Sequence, residues 1–371
     1  MDNTTRAMNI LNYRDTDRMP AVHFGYWKEL LQEWVELGHL KPEEIVGVGD
    51  GNDADYRLNA KLGWDFNWRT TRRGSASLRP SFKSEVIEEL SDGSRKVLTS
   101  WGVIEIVKPG IVSISGECDY LIKDRKAYEE LLKPKLQYTE DRVDPDYFNN
   151  NNWDEIDAPI GLELGSVAGD IRNMLTLMGM SYMIYDDYDL LDEIVSDYAE
   201  LQYKVAERTL QITDFKFDFA HYWEDICYRN GPLFAPDILD DLCAKHYKKR
   251  NDLANKYGMK IISLDCDGCI DQLIPMWLEN GVNTMFPIEV GVWNASIAPW
   301  REQYGKELRG VGGMNKNVLS YDKKAVDDEI ERLKPLIALG GYIPCPDHRL
   351  PPRTKYELVQ YYAEKIKTVK I

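Results

Sequence analysis

The sequence has no excess of basic residues and no long apolar run. It contains 46 Lys and Arg against 62 Asp and Glu, which gives a formal net charge of −16. Nucleic-acid binding normally needs a basic stripe, so we expect no nucleic-acid partner. No apolar run approaches the roughly 20 residues that span a bilayer, so we expect no membrane partner either.

Cysteine is scarce, with six residues in a chain of 371. This number does not build a dense disulfide framework, and the N-terminal string MDNTTRAMNILNYRD contains no apolar stretch of the signal-peptide kind. We therefore expect free thiols and a cytoplasmic location. With 43% hydrophobic and 29% charged residues, the composition is that of a globular protein with a large core.

The second half of the sequence alternates strand and helix signals with short connectors. Short apolar runs, typical of buried parallel strands, are separated by longer amphipathic segments. Strands are predicted at 215–220, 259–264, 282–288, 308–311 and 342–344, and helices at 236–257, 271–279 and 321–339. Five consecutive βα units predict a parallel sheet with helical crossovers. Since no strand is followed by a GxGxxG motif, a (β/α)8 TIM barrel accounts for this α/β pattern better than a dinucleotide-binding open sheet.

The first half of the sequence is less regular. Residues 17–24 predict a strand followed by a Trp-rich amphipathic helix, and residues 159–164 predict a further barrel strand. Residues 77–109 alternate in polarity and carry the turn Ser91-Asp-Gly-Ser94, which predicts an inserted N-terminal β-hairpin region. No internal repeat or low-complexity linker separates the two halves, so we expect a single domain over residues 1–371.

Polar side chains follow strand after strand of the predicted barrel. In a TIM barrel the carboxyl ends of the strands meet at one cavity, so these residues are expected to be neighbours whatever their separation in the sequence. They are His23, His221, Glu224, Asp265, Asp267, Glu289, Cys345, Asp347 and His348. This mixture of nitrogen, oxygen and sulfur ligands favours a bound cation, zinc above all, with an open position for substrate.

Several of these residues also have a purely structural interpretation. Asp265 and Asp267 are equally suited as N-caps of the following helix, and Glu224 is equally suited as an ion-pair partner. Cys266 and Cys269 have the spacing of half a zinc knuckle, but no second pair accompanies them.

Aromatic residues are concentrated near the predicted strand ends. Trp27 and Trp223 come directly after strands, and His23 and Tyr222 lie close to them in the sequence. Most aromatic side chains pack in the core, but these positions are suited to lining an apolar pocket for a ring-shaped substrate. We therefore predict His23, Trp27, Tyr222 and Trp223 as substrate-binding residues.

Four strings in the sequence are similar to those of a known family. They are YWEDICYRNGPLFAPDIL, LDCDGCIDQLIPMWLENGVNTMFPIEV, YGKELRGVGGMNKNVL and GGYIPCPDHRLPP. In collinear order, from Arg18-Met-Pro20 to the terminal helix, the chain resembles the uroporphyrinogen decarboxylase superfamily. The resemblance implies a (β/α)8 barrel and one of two chemistries: cofactor-free porphyrinogen decarboxylation, or zinc-dependent methyl transfer with a corrinoid protein.

The two branches of this superfamily imply different residues. The decarboxylase branch is expected to carry an Arg-rich segment of the type RQAGRY, but the equivalent HFGYWKELLQEW contains no arginine, and the nearest is Arg18. The zinc branch has a His-x-Cys pair, which aligns with Asp265-Cys-Asp267, and a later cysteine, which matches Cys345. Since Cys345 also has an inert interpretation, the ligand set stays open. The resemblance implies zinc ligands among Asp267, Glu289, Cys345 and His348.

Within the zinc branch, the chain looks most like the substrate-demethylating components of bacterial O-demethylase systems. This resemblance implies methyl transfer from a methoxylated aromatic, or a similar small donor, to the Co(I) corrinoid of a partner protein, with zinc polarising the ether oxygen. The expected catalytic residues are Asp265, His221 and Glu224, the last two as proton donors. A cofactor-free decarboxylase, a methyltransferase that acts from a methylamine or from methylcorrinoid to a thiol, and a non-enzymatic ligand-binding barrel stay open as alternatives. The chain is also compatible with a homodimer.

Overall fold

The computed structural model of the chain describes residues 1–109, 116–151 and 153–370. Its strands are β1 Val22–His23, β2 Phe66–Asn67, β3 Thr71–Arg72, β4 Glu85–Glu89, β5 Arg95–Leu98, β6 Val103–Val107, β7 Gly116–Tyr120, β8 Gly161–Gly165, β9 Phe219–Trp223, β10 Cys227–Tyr228, β11 Gly231–Pro232, β12 Ile262–Asp265, β13 Thr284–Phe286, β14 Arg309–Met314 and β15 Tyr342–Pro346. Its α-helices are α1 Asn3–Leu11, α2 Lys28–Glu36, α3 Asp53–Leu62, α4 Arg125–Ala127, α5 Pro145–Asn149, α6 Gly169–Asp186, α7 Tyr188–Ile212, α8 Pro236–Lys256, α9 Ile274–Glu279, α10 Val290–Trp293, α11 Ile297–Tyr304, α12 Lys323–Ile337 and α13 Tyr356–Ile366. None of the helices in these ranges combines the length and the apolar character needed to cross a membrane.

Seven strands form one sheet in the order β15-β14-β13-β12-β9-β8-β3. Every neighbouring pair in this sheet is parallel. β1 and β2 form a separate parallel pair, and Tyr26 makes a parallel bridge to Leu350, just beyond β15. All residues of β8, β12, β13 and β15 are buried, as expected for parallel strands covered on both faces. The prediction of an α/β chain with a large parallel sheet is therefore confirmed.

The helices that connect these strands begin where local chemistry favours a helix start. α8 begins at Pro236, whose fixed φ and missing N–H suit the first turn. α12 begins after Asp322, whose side chain caps the helix. These two helices confirm the predictions at 236–257 and 321–339, whereas the third predicted helix begins only at Ile274.

A second, antiparallel sheet has the order β4-β5-β6-β7. It occupies the segment in which a hairpin is predicted and extends to Tyr120, with residues 91–94 in the connection between β4 and β5. β4 is exposed along its whole length, and β6 and β7 lie beside α6. None of the described residues of this sheet lines the cavity at the parallel strand ends, so the sheet is an addition to the body that carries the site.

Candidate functional site

A cavity of about 570 Å³ lies at the carboxyl ends of the parallel strands. Most of its wall comes from segments that follow β1, β2, β9, β12 and β15. Its aromatic side chains are Phe24, Tyr26, Trp27 and Trp223. Its charged or titratable side chains are Tyr26, Lys28, Asp50, Asp55, Arg69, Asp225, Asp265, Asp267, His348 and Arg349. This end of a parallel sheet is where α/β proteins bind their substrates.

Three carboxylates meet in the wall of this cavity. Oxygens of Asp225, Asp265 and Asp267 lie within 4.8 Å of one another, and no other such group of His, Cys, Asp or Glu occurs in the described part of the chain. Asp265 ends β12, and it pairs with Trp223, which ends β9. This register brings the two following loops together, and the backbone N–H of Asp267 donates to Asp225 Oδ1 at 3.1 Å.

Burial and the repulsion of neighbouring carboxylates disfavour the ionised forms of Asp225 and Asp265. Burial, followed by the charge of Asp267, raises the pKa of Asp225 to about 6. Burial also raises the pKa of Asp265 well above its usual value, although the charge of Arg69 opposes this shift. Asp225 has a φ of 47°, a left-handed conformation that is uncommon outside glycine and frequent at functional sites. Carboxyl groups that hold a proton near neutral pH are suited to general-acid chemistry.

The two arginines of the cavity are already paired. Arg349 donates to both carboxylate oxygens of Asp50, at 2.9 and 2.5 Å. Arg69 Nη1 lies 3.5 Å from Asp265 Oδ2 and 3.6 Å from Asp50 Oδ2. Gly25 approaches the Arg349–Asp50 pair so closely that a Cβ atom there would lie 2.7 Å from Asp50 Oδ1. Carboxylates therefore balance the charge of both guanidinium groups, which disfavours a polyanionic substrate.

His348 connects the aromatic and acidic parts of the cavity. Its Nε2 lies 3.1 Å from Asp267 Oδ2, and its ring stacks on Trp27 with the centroids 5.8 Å apart. Burial opposes protonation of His348, but the hydrogen bond with Asp267 and the charge of that carboxylate outweigh burial, so the pKa of His348 is raised. The imidazole thus fixes the positions of Asp267 and Trp27 relative to each other.

Some of the residues predicted from the sequence line the cavity and others do not. Those that line it are Trp27, Trp223, Asp265, Asp267 and His348. Those that do not are His23, His221, Tyr222, Glu224, Glu289 and Cys345.

Two predicted site residues of β9, Tyr222 and His221, do not reach the cavity. The Tyr222 hydroxyl donates to Asn251 Oδ1 at 2.9 Å, on the opposite face of the strand from its neighbours. His221 is fully buried near Phe219 and Phe286, and neither ring nitrogen has a hydrogen-bond partner among the described residues. Burial lowers the pKa of His221 well below its usual value, so the ring is neutral. We therefore do not assign substrate binding to Tyr222 or proton donation to His221.

Glu224 serves the start of α6 instead of the cavity. Its Oε1 accepts the N–H of Val167 at 2.6 Å, and its Oε2 accepts the N–H groups of Ala168 and Gly169 at 3.0 and 2.9 Å. The free N–H groups at a helix start favour a carboxylate at this position. This geometry gives Glu224 a structural role at the start of α6, and its role as a proton donor stays a prediction.

Glu289, Cys345 and His23 are buried beside the cavity. Glu289 Oε2 accepts the N–H of Gly268 at 2.5 Å, and burial raises the pKa of Glu289 to about 7. Cys345 is fully buried, which raises the pKa of its thiol well above the usual value. His23 Nδ1 accepts the N–H of Gly25 at 3.0 Å, and burial lowers the pKa of this imidazole.

The residues present do not fit a zinc centre built on Cys345. Zinc sites usually contain thiolate or imidazole ligands, whereas the three ligand atoms that lie together here are carboxylate oxygens and do not include the Cys345 sulfur. Such an all-oxygen set suits harder cations. Neither Asp265 nor Asp267 caps the following helix, because the N-cap of α9 is Leu273, so the capping interpretation is wrong.

The sequence analysis misses six charged residues of the cavity: Lys28, Asp50, Asp55, Arg69, Asp225 and Arg349. A signal existed for Asp225, because it follows β9 at the same two-residue offset at which Asp267 follows β12. No local signal existed for the pair of Arg349 and Asp50, which are separated by 299 positions in the chain.

The fold is similar to that of solved structures at low sequence identity. A methyltransferase from Methanosarcina mazei is 13% identical, with a TM-score of 0.58 over 99% of this chain and 98% of its own. A B12-independent methionine synthase from Shewanella sp. W3-18-1, in complex with selenomethionine, is 12% identical, with a TM-score of 0.47 over 94% and 98% of the two chains. The first likeness shows the fold alone, and the second is too weak to support an argument. No family model and no curated protein matches the chain.

Proposed function

We propose that the chain is a methyltransferase that moves a methyl group from a small methylated donor to the Co(I) corrinoid of a partner protein. The observation that carries the proposal is the cavity, in which Trp27 and Trp223 share one volume with the carboxyl groups of Asp225, Asp265 and Asp267. The sequence resemblance supports this chemistry, with a methoxylated aromatic as the donor. The proposal includes a cytoplasmic single-domain (β/α)8 enzyme whose corrinoid partner covers the cavity mouth.

The leaving group of a methyl ether determines what the cavity must supply. An ether is a poor electrophile because loss of its methyl group leaves an alkoxide or phenoxide. Transfer of a proton to the departing oxygen stabilises that charge. Asp265 lines the cavity and burial raises the pKa of its carboxyl group, so it is suited to donate this proton. Asp225, with a pKa of about 6, can return a proton to Asp265 between turnovers.

The resemblance also implies zinc, which would polarise the ether oxygen. The carboxylate group of the cavity fits a hard divalent cation better than zinc, and Cys345 does not line the cavity. The proposal therefore assigns the leaving-group chemistry to the aspartates and no step to a metal ion.

Decarboxylation of a porphyrinogen is less well supported by the cavity. A substrate with several carboxylates needs cationic side chains that are free to bind it. Here Arg349 donates two hydrogen bonds to Asp50, and Arg69 Nη1 lies 3.6 Å from the same carboxylate. The remaining aspartates of the wall would repel a polyanion.

Mixing the chain with a Co(I) corrinoid protein and a methoxylated aromatic tests the reaction. The Co(I) absorption spectrum is expected to change to that of methyl-Co(III), and the demethylated phenol is expected to leave it unchanged. Asp265→Asn should slow the transfer by roughly 10²–10⁴-fold, as losses of a general acid do. Glu364→Gln, at an exposed position on α13, is the matched control. A broad donor panel without methylcorrinoid, together with carbon dioxide release from a porphyrinogen, would show that the decarboxylase alternative is right.

A further inference from the structure

We propose that the methyl donor carries a neutral, polyhydroxylated arm, and that this arm lies in a second cavity beside the one that holds the methoxylated ring. The identity of this ligand as the methyl donor rests on the proposed function. Its binding does not, because the affinity of a methoxylated ring with such an arm can be measured without a corrinoid.

A second cavity of about 460 Å³, here called the side chamber, lies next to the candidate site. The two cavities share the side chains of Asp50, Arg69 and Trp223. The rest of the side-chamber wall belongs to β3 and β8 or follows them, and consists of Thr71, Arg73, Glu163, Gly165, Ser166 and Asp170. Both volumes are in the range of roughly 300–1,000 Å³ that ligand pockets occupy, so a ligand of two parts is suited to filling both.

The side chamber is more polar than the candidate site. Among the described residues, Trp223 is its one aromatic residue, whereas four aromatic side chains line the candidate site. Apart from Trp223 and Gly165, every residue of its wall is charged or carries a hydroxyl group. An apolar ligand would remove water from these groups without replacing their hydrogen bonds, which costs free energy. The side chamber therefore fits a ligand that forms many hydrogen bonds.

Side chains of both signs line the side chamber. Its cations are Arg69 and Arg73, and its carboxyl groups belong to Asp50, Glu163 and Asp170. Burial raises the pKa of Glu163 and of Asp170, although the charge of Arg73 opposes both shifts. An anionic arm would face the carboxyl groups and a cationic arm would face the guanidinium groups, so a neutral arm fits this wall best.

Arg73 acts on Glu163 and Asp170 without contacting either carboxyl group. Its charge affects both groups, yet among the described residues it has no hydrogen bond and no ion pair within 4.0 Å. Asp170 Oδ2 accepts the hydroxyl of Tyr198 at 2.9 Å, and the other oxygen of this carboxyl group has no hydrogen-bond partner in the described part of the chain. A hydroxyl group accepts from a guanidinium and donates to a carboxylate at the same time. A ligand with adjacent hydroxyl groups is therefore suited to bridging Arg73 and Asp170.

Glu163 is the most deeply buried titratable side chain of the chamber wall. It is 9% exposed, and Thr71 Oγ1 donates to its Oε2 at 3.0 Å. A buried carboxyl group needs hydrogen-bond partners to offset its desolvation, and it donates when protonated and accepts when ionised. A ligand hydroxyl group matches both protonation states, whereas an anion matches only the protonated state and a cation only the ionised state.

Trp223 supplies the apolar surface that the two cavities share. It ends β9 and is partly exposed. A sugar ring has C–H groups on its faces and hydroxyl groups at its edge, so it packs on an aromatic side chain while its edge forms hydrogen bonds. A glycoside of a methoxylated phenol therefore combines a ring for the candidate site with an arm for the side chamber.

Calorimetric titration of the full chain with 2-methoxyphenyl β-D-glucopyranoside and with 2-methoxyphenol tests the inference. The two probes share the methoxylated ring and differ in the arm, so we expect the glucoside to bind more tightly by about 10-fold or more. Two further probes, (2-methoxyphenoxy)acetate and 2-(2-methoxyphenoxy)ethylammonium, carry a charged arm. Both are expected to bind more weakly than the glucoside.

Arg73→Gln and Glu163→Gln are each expected to lower the ratio of glucoside affinity to 2-methoxyphenol affinity by about 5-fold or more. A purely structural role of either residue would lower both affinities together and leave the ratio unchanged. Arg14→Gln, at another exposed arginine that lines neither cavity, should also leave the ratio unchanged. Since Arg73 is exposed, its variant is expected to fold, and circular dichroism checks this for every variant.

Equal affinities of the glucoside and 2-methoxyphenol, no binding of the glucoside up to millimolar concentrations, or tighter binding of either charged probe would overturn the inference. So would an unchanged affinity ratio in both Arg73→Gln and Glu163→Gln. Methylcorrinoid formed from 2-methoxyphenol, with equal binding of the glucoside, contradicts this inference alone. Tighter binding of the glucoside without methylcorrinoid from any methoxylated donor supports this inference and contradicts the proposed function.

Discussion

At the scale of single residues, Gly25 lets the chain that follows β1 pass close to the Arg349–Asp50 ion pair in the cavity wall. It has a φ of +103°, and a Cβ atom there would contact Arg349 and Asp50. Gly38 also has a positive φ, of +77°, but open space around it. We expect Gly38→Ala to lower the free energy of unfolding by about 1 kcal/mol through backbone strain alone. Gly25→Ala should lower it by about 1–2 kcal/mol more, because the ion pair must also shift.

Urea unfolding of the two variants measures this difference. Equal losses for Gly25→Ala and Gly38→Ala would mean that the Arg349–Asp50 pair moves away at no cost, and that Gly25 is required only for its backbone conformation.

At the scale of elements, Glu224 ties the end of β9 to the start of α6. The carboxylate accepts three backbone N–H groups, which an amide cannot match because its NH2 group would face other donors. We expect Glu224→Gln to lower the free energy of unfolding by roughly 2–3 kcal/mol. The exposed control Glu364→Gln should stay within about 0.5 kcal/mol of the wild type.

The same variant separates a structural from a catalytic role. Per folded molecule, Glu224→Gln is expected to keep methyl transfer within about 10-fold of the wild-type rate, whereas Asp265→Asn loses roughly 10²-fold or more. A loss of roughly 10²-fold or more in the methyl-transfer rate of Glu224→Gln, measured with the corrinoid assay, would show that Glu224 is a catalytic residue.

At the scale of the whole molecule, Asp218 makes stability depend on pH. It precedes β9, its Oδ2 accepts the N–H of Ile160 at 2.8 Å, and burial raises its pKa from 3.8 to about 6. The folded state therefore binds this proton more tightly than the unfolded state. Its stabilising contribution is complete below pH 3.8 and is lost as the pH rises through 6.

Asp218→Asn keeps the acceptor and removes the titration. We expect this variant to be about 1–2 kcal/mol more stable than the wild type above pH 6, after allowance for partial solvent screening, and equally stable near pH 4. Urea unfolding between pH 4 and 8 measures the difference. A constant difference across this range would show that Asp218 has an ordinary pKa in the folded chain.

The sequence by itself determined the α/β character and much of the cavity edge. The length and period of apolar runs are local properties, so the helix at Pro236–Lys256 and the strand at Tyr342–Pro346 are predictable from their own residues. Trp27, Asp267 and His348 are predictable as cavity residues for a similar reason, since residues just after parallel strands lie at the carboxyl edge of the sheet.

Only the tertiary structure decided which polar neighbours face the cavity and with what they pair. A step of one residue along a strand reverses the side-chain direction, so Trp223 lines the cavity while Tyr222 contacts Asn251. The pairing of Arg349 with Asp50 joins residues 299 positions apart. Such contacts depend on how distant strands and loops are placed beside one another, and no local pattern of residues encodes that placement. Burial then shifts the pKa values of the groups that meet in the cavity.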